Sequence, residues 1–205
     1  MSGTPRVVLA SDNQAKLREL GELLSGLDVE LLPQAALGIS AAAETGASFA
    51  ENALIKARHA SRQAGLAAIA DDSGLVVDVL DGAPGIRSAR YAGEKASDRK
   101  NIEKLTGKLA DVQESERTAR FVCTVAYVSG AGDPSPTLCE GVWEGRISES
   151  PRGDSGFGYD PVFLIPELGC TAAELDPATK NELSHRGRAL RALRAQLETR
   201  YPHAC

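Results

Sequence analysis

The sequence predicts an α/β domain built on a mixed β-sheet, with helices flanking it. Three observations predict this. Short apolar runs alternate with segments of helical periodicity along the chain. The chain opens with an apolar run, a polar turn and a helix, the beginning of an α/β unit. Two long strand-like runs, Thr118 to Val128 and Thr137 to Ser148, flank a Gly-Pro-rich turn as a hairpin.

Val7-Val8-Leu9-Ala10 is apolar on successive positions, as a strand buried on both faces is. Ser11-Asp12-Asn13 follows, three residue types that cap helices. Leu17, Leu20, Leu23 and Leu24 recur at helical spacing, and Gly26 is the expected stop. Val29 to Leu32 is a second strand, ended by Pro33. Residues 35–47 are rich in Ala, Gly and Ser, with Glu44 as their only charge. Ser48 and Glu51 stand at capping-box spacing before a helix through Ala53, Leu54, Ala57 and Ala60, with Gly65 as its stop. Ala67 to Ala70 is a third apolar run, leading into Asp71-Asp72-Ser73-Gly74, after which Leu75 to Leu80 resumes strand character. Residues 81–93 hold three glycines and a proline and predict a long loop. A polar helix is expected over 97–110, a second glycine-dense loop over 151–160 and a strand over Pro161 to Ile165. The last helix carries Leu190, Leu193 and Leu197.

At 205 residues the chain is expected to form a single domain, 1–205, as one compact unit or two joined lobes. Such a chain buries roughly 70% of its unfolded surface and needs neither disulfides nor a structural metal. It carries 28 acidic against 23 basic side chains, net −5, the opposite of the balance that holds a nucleic acid polymer. A basic site here is therefore a local pocket for a small anion. Cys123, Cys139, Cys170 and Cys205 contain no CxxC pair, so a zinc knuckle or redox motif is not expected. Reduced cysteines and the lack of any long apolar stretch predict a cytoplasmic protein without membrane association.

Four clusters carry candidate chemistry. Asp71-Asp72 leaving a buried strand would repel each other unless a cation sat beside them, and Mg2+ takes one or two carboxylates plus phosphates and waters. The same DDSG also suits a plain charged turn. Glu44 and Glu51 are further candidate ligands, and Glu51 equally suits a cap. Ser11 to Lys16 sets a polar turn and a helix N-terminus where an anion docks, and equally describes an N-capped surface helix. In Gly153 to Asp160, Phe157 lies between two glycines and Tyr159 follows one, suited to stacking on a base or to tucking back into the core. Lys180, Ser184, His185 and Arg186 form a basic group before the last helix, either a binding group or a solvated helix start. His59 and His203 read as surface residues, and Trp143 as core. No Walker motif is present.

Taken together, VVLASDNQAKLREL, AAETGASFAENALIKARHA, IADDSGLVVDVLDGAPGIRSARYAG, GDSGFGYDPVF and TAAELDPATKNELSHRGRAL resemble the inosine triphosphate pyrophosphatase family, the XTP/dITP diphosphatases. The motifs run in order from residue 6 to about residue 190, and Ser11-Asp12 departs from the Thr-Gly or Ser-Asn of many relatives. The resemblance implies an elongated mixed sheet in two α/β lobes with the site in a cleft, and a homodimer. It implies Mg2+-dependent cleavage of ITP, dITP and XTP to the monophosphate and pyrophosphate. Asp72 would be the proton acceptor and a metal ligand, with Glu44 the second metal carboxylate and Asp71 in support. Ser11, Asp12, Asn13, Gln14, Ala15 and Lys16 would hold the triphosphate with Lys56, and Ser73 would touch substrate. Phe157, Gly158, Tyr159 and Asp160 would hold the base, and Lys180, His185 and Arg186 would read it at O6. Two other readings remain: a sanitiser of other modified nucleotides, like the Maf-like pyrophosphatases, and a non-catalytic triphosphate sensor. The paired aspartates argue against the sensor.

Overall fold

The computed structural model describes residues 4–201; His203 and Cys205 lie outside the described residues. The elements run β1 Arg6–Leu9, α1 Gln14–Leu23, β2 Glu30–Pro33, α2 Phe49–Ala64, β3 Ala67–Val77, α3 Asp98–Lys108, β4 Thr118–Val128, β5 Thr137–Ile147, β6 Phe163–Ile165, β7 Cys170–Thr171, α4 Pro177–Leu183 and α5 His185–Glu198. The seven strands stand in the order β2-β1-β3-β4-β5-β6-β7. β1 pairs in parallel with β2 and β3, whereas β6 pairs antiparallel with both β5 and β7, so the sheet is mixed. No described helix is long and apolar enough to cross a membrane.

The chain divides into two compact units. One comprises the segment ending at Asp72, Cys123–Gly141 and the segment from Arg186 onward; the other comprises Ser73–Val122 and Val142–His185. Strands β3, β4 and β5 each contribute residues to both.

In the first unit, strand alternation decides which helix each residue meets. Val7, Leu9, Ile69, Cys123, Val125 and Tyr127 pack with Leu20 and Leu24 of α1 and with Leu190, Leu193 and Leu197 of α5. Their neighbours Val8, Ala10, Ala68, Ala70, Ala126 and Val128 pack on Ala53, Ala57 and Ala60 of α2. The alanine stripe of α2 recurs at helical spacing and is fully buried, so this helix lies close against its strands. Each buried leucine of α5 contributes about 1.5–3 kcal/mol of transfer free energy, which anchors the last helix. Ser48 Oγ accepts the Glu51 amide to start α2, and Gly65 ends it at φ 67°, a left-handed conformation that glycine adopts without penalty.

The second unit has its own core of Leu75, Val77, Ile102, Leu105, Phe121, Trp143, Phe163 and neighbours. Phe121 and Trp143 both pack on Phe163, with ring centroids 4.4 and 5.2 Å apart, so Trp143 is a core residue as expected.

Several local features differ from the sequence reading. β3 does not break at Asp71-Asp72-Ser73-Gly74 but runs through it, so the charged-turn reading fails. Residues 78–80 form a 3-10 turn rather than strand, and the expected loop over 81–93 contains a 3-10 helix, Gly85–Arg90. α4 was not foreseen; it is one short helix opened by Pro177 and capped by Asp176, whose side chain accepts the Thr179 amide. β7 is only two residues long, too short for any periodicity to register.

Candidate active site

Because β3 continues through the aspartates, Asp71 and Asp72 point to opposite faces. The expected repulsion at one shared site is thereby replaced by two separate environments. Asp71, 1% exposed, follows the parity of Ile69 toward α1 and α5. There it meets Lys16 Nζ at 3.0 Å and Arg186 Nη2 at 3.2 Å. Burial alone would raise the Asp71 pKa, but Lys16, Arg186 and Lys56 outweigh it and hold the carboxyl well below the usual carboxylate range. Arg186 in turn donates to Glu19 at 2.6 Å. The same cluster keeps buried Cys123 a thiol: desolvation, with Asp71 nearby, pushes it up to about 12.

Asp72 follows the parity of Ala70 toward α2. Lys56 Nζ donates to Asp72 Oδ1 at 2.8 Å and to Glu44 Oε1 at 2.9 Å. Asn52 Nδ2 donates to Asp72 Oδ2 at 3.3 Å. Burial raises the Asp72 pKa above the ordinary value despite Lys56, and Glu44 adds to the rise. Lys56 is also held above its usual value: burial works against the ammonium, and Asp71, Asp72 and Glu44 outweigh it. A carboxylate of raised basicity is suited to general-base proton transfer.

The donor set fits a hard divalent cation. Asp72 and Glu44 converge on one ammonium at distances under 3 Å, which shows that both carboxylates reach a common point. Among the described residues no group of three or more His, Cys, Asp or Glu side chains forms a self-sufficient metal cage. Two carboxylates completed by phosphates and waters are the pattern of Mg2+, not of zinc or calcium. Glu51 belongs elsewhere: its Oε2 accepts the Ala47 amide at 2.7 Å, so it caps and tethers the preceding loop.

The turn before α1 is internally bonded. Asn13 Oδ1 accepts the amides of Ala15 and Lys16 at 2.9 and 3.1 Å, Ser11 Oγ accepts the Asn13 amide, and Asp12 accepts from buried Gln34 at 2.7 Å. Lys16 leans on Asp71 rather than back over the turn.

The second unit gathers the expected base-holding residues. Asp160, 3% exposed, accepts the Phe157 amide at 2.8 Å and Lys180 Nζ at 2.7 Å through Oδ2. Lys180 Nζ also stands 5.0 Å from the Phe157 ring centroid, a cation–π contact. Asp160 therefore organises its loop, where the sequence suggested an acceptor for a base edge. Gly156 has φ +80°, and a Cβ there would fall 2.1 Å from Asp160 Oδ2. Tyr159 tucks inward, its hydroxyl donating to Ser88 O at 2.9 Å, and burial raises its pKa. The Gly158 amide donates to Asp98 at 2.7 Å. His185 stacks on Phe121 with centroids 4.7 Å apart and planes 13° from parallel. Ser73 follows Asp72 in β3.

Arg186, expected at the base, places its guanidinium between Asp71 and Glu19 in the first unit. Its partners are 115 and 167 residues away in sequence, beyond any spacing argument. Asn52, Gln34, Glu19, Asp98 and Ser88 were missed for the same reason, since each contacts a partner supplied by folding. Asn52 alone had a visible signal: a polar residue beside the apolar stripe of α2, where an alanine would otherwise be expected.

Fold and side chains together define a class: a mixed-sheet α/β protein with lysines and carboxylates paired along two faces of one strand. The Ham1 family model matches residues 7–196, and the chain belongs to that family. It is 57% identical over 192 residues to a dITP/XTP pyrophosphatase of Vibrio parahaemolyticus, covering 94% of this chain and 96% of that one. It is 54% identical over 188 residues to the dITP/XTP pyrophosphatase of Escherichia coli O157:H7, covering 92% and 95%. The HAM1 protein from Coxiella burnetii superposes with TM-score 0.90 at 49% identity, covering 95% of this chain and 99% of that one. The Ham1 protein of Staphylococcus aureus superposes with TM-score 0.85 at 39% identity and the same coverage.

Proposed function

We propose that this chain hydrolyses deaminated purine nucleoside triphosphates, ITP, dITP and XTP, to the nucleoside monophosphate and pyrophosphate. The names carried by its relatives and the Ham1 membership support the reaction. The observation that carries the chemistry is the Asp72–Lys56–Glu44 cluster, a raised carboxylate sharing one ammonium with a second carboxylate.

In this reading Asp72 accepts a proton from water as that water's oxygen forms a bond to the α-phosphorus. The bond from the α-phosphorus to its bridging oxygen breaks, and pyrophosphate leaves. Lys56 and Lys16 stabilise charge on the phosphates. Asp72 and Glu44 would hold Mg2+, which supplies charge neutralisation at the triphosphate when bound. Ser11 to Lys16 receive the polyphosphate, which competes with Asn13 Oδ1 for the Ala15 and Lys16 amides and with Asp71 for Lys16. Ser73 contacts substrate beside Asp72.

Base recognition falls to Phe157, Gly158, Tyr159, Asp160, Lys180, His185 and Arg186, with Lys180 and His185 the foremost donors to O6. Adenine offers an amino group there and leaves a buried donor unpaired, at about 1–3 kcal/mol per group. Arg186 is held by Asp71 and Glu19, so a contact with a base would share its guanidinium with these carboxylates. The resemblance further supports a homodimer, which light scattering decides. The buried free thiols Cys123 and Cys139 favour a reducing, cytoplasmic setting.

Product analysis tests the reaction class. Equimolar IMP and pyrophosphate from ITP are expected; IDP with orthophosphate would defeat the α-phosphorus assignment.

A further inference from the structure

The loop that carries Glu44 is strapped along α2. His59 Nε2 lies 3.0 Å from Ser40 O, Lys56 Nζ 2.9 Å from Glu44 Oε1, the Gly46 amide 2.8 Å from Asn52 Oδ1, and the Ala47 amide 2.7 Å from Glu51 Oε2. The helix positions 52, 56 and 59 share one stripe, while the loop runs past them in the opposite sense. Within this strap Asn52 is distinct. It is 0% exposed, and its amide works at both ends. Oδ1 accepts from Gly46, two residues after Glu44, and Nδ2 donates to Asp72 Oδ2 at 3.3 Å. This orientation is forced: a flipped amide would aim NH2 at a backbone N–H and oxygen at a carboxylate. Gly46 completes the fit, since a Cβ there would lie 2.7 Å from Glu51 Cβ and 2.8 Å from Asn52 Oδ1.

We infer that Asn52 is a positioning residue for the reaction, a clamp whose two ends fix the Glu44 loop and the Asp72 carboxylate relative to each other. The inference rests on the proposed function for its kinetic consequence, though not for its structural one. Neither Lys56 nor Glu51 substitutes for it. Lys56 is a flexible point charge on a long stem, and the Glu51 carboxylate is bonded to the Ala47 amide and not to Asp72. Asn52, within α2 and with no exposed surface, is the member of the strap with a fixed reference. Displacements of about 1 Å in such a support cost on the order of 100-fold in rate, and lost supporting hydrogen bonds at metal-binding carboxylates cost about 10–100-fold.

The test compares wild type, Asn52→Ala and Asn52→Asp as full chains, by amide hydrogen exchange without ligand and by steady-state kinetics with ITP and Mg2+. Asn52→Asp is isosteric and keeps the acceptor for Gly46 but has no donor for Asp72; Asn52→Ala lacks both. The clamp predicts that the Gly46 amide exchanges at least about tenfold faster in Asn52→Ala and stays protected in Asn52→Asp. It also predicts that both variants lose about 10–100-fold in kcat with KM within about threefold of wild type. Unchanged Gly46 exchange in Asn52→Ala, or kcat within about twofold of wild type in either folded variant, overturns it. If Asn52→Ala does not fold, Asn52→Asp carries the kinetic criterion alone. A wild type that releases no pyrophosphate from ITP defeats the proposed function instead, and the exchange experiment still decides the clamp.

Discussion

Lys56 Nζ lies 2.8 Å from Asp72 Oδ1, so the group we assign as proton acceptor holds a charged hydrogen bond. The contact restrains the Asp72 pKa, which burial and Glu44 would otherwise push further upward. Lys56 thus places a positive charge beside Asp72 and offsets part of the rise that burial gives its pKa.

Replacing Lys56 with Met is expected to lower kcat for ITP by about 100-fold, the usual cost of losing one charge-stabilising donor. The acid limb of the pH–rate profile moves to higher pH in this variant. Asp72 must be ionised to accept a proton, and without the ammonium its pKa rises further. A limb that stays in place, or moves down, contradicts the coupling.

Arg186→Ala is expected to act first on stability. Its guanidinium is 3% exposed and pairs with Asp71 and Glu19. Removing one partner of a buried ion pair costs about 3–5 kcal/mol. Urea unfolding of Arg186→Ala against Lys56→Met checks this, with the larger loss expected for Arg186. An Arg186→Ala midpoint equal to that of wild type would remove its stabilising role.

Asp133 gives a pH signature remote from the chemistry. It accepts the Ser129 amide and hydroxyl and the Ser135 amide at 2.7–2.9 Å, and these bonds lower its pKa to about 2. Folding depresses this pKa, so the stabilisation is present above the unfolded value of about 3.9 and lost as pH falls through the folded one. Asp133→Ala should cost about 1–2 kcal/mol at pH 7. The gap to wild type should close between about pH 4 and pH 2. A gap independent of pH would show that the carboxylate charge is irrelevant.

Gly156→Ala tests the base-holding loop. The added methyl would collide with Asp160 Oδ2, the atom that holds both Lys180 and the Phe157 amide. We expect KM for ITP to rise about tenfold with a smaller change in kcat, because binding rather than phosphate chemistry is disturbed. A change confined to kcat would detach this loop from base recognition.

Much of the fold was legible in the sequence because its signals are local. Val7 to Ala10, the alanine stripe of α2 and the leucines of α5 each declare a period and a buried face. The break expected at Asp71-Asp72 was wrong because Asp and Gly favour turns on average, while here burial between Ala70 and Leu75 and countercharges from other helices override that preference. The aspartates were legible as chemistry, but their division between two faces was not, since it depends on the strand continuing. Arg186 and Asp160 were legible as polar groups in the right segments. Their partners, Glu19 and Asp71 for one and Lys180 and the Phe157 amide for the other, exist only after long-range folding.

The central claim is that Asp72 is the proton acceptor of a divalent-cation-dependent pyrophosphohydrolase selective for deaminated purines. Pyrophosphate release from ITP, XTP, dITP, ATP and GTP, with Mg2+ or with EDTA, for wild type and Asp72→Asn, tests it most directly. The account predicts rapid Mg2+-dependent release from the first three, slow release from ATP and GTP, and loss of at least about 100-fold in Asp72→Asn. Asp72→Asn turning over ITP as fast as wild type, or wild type releasing nothing from ITP, XTP and dITP, would contradict it.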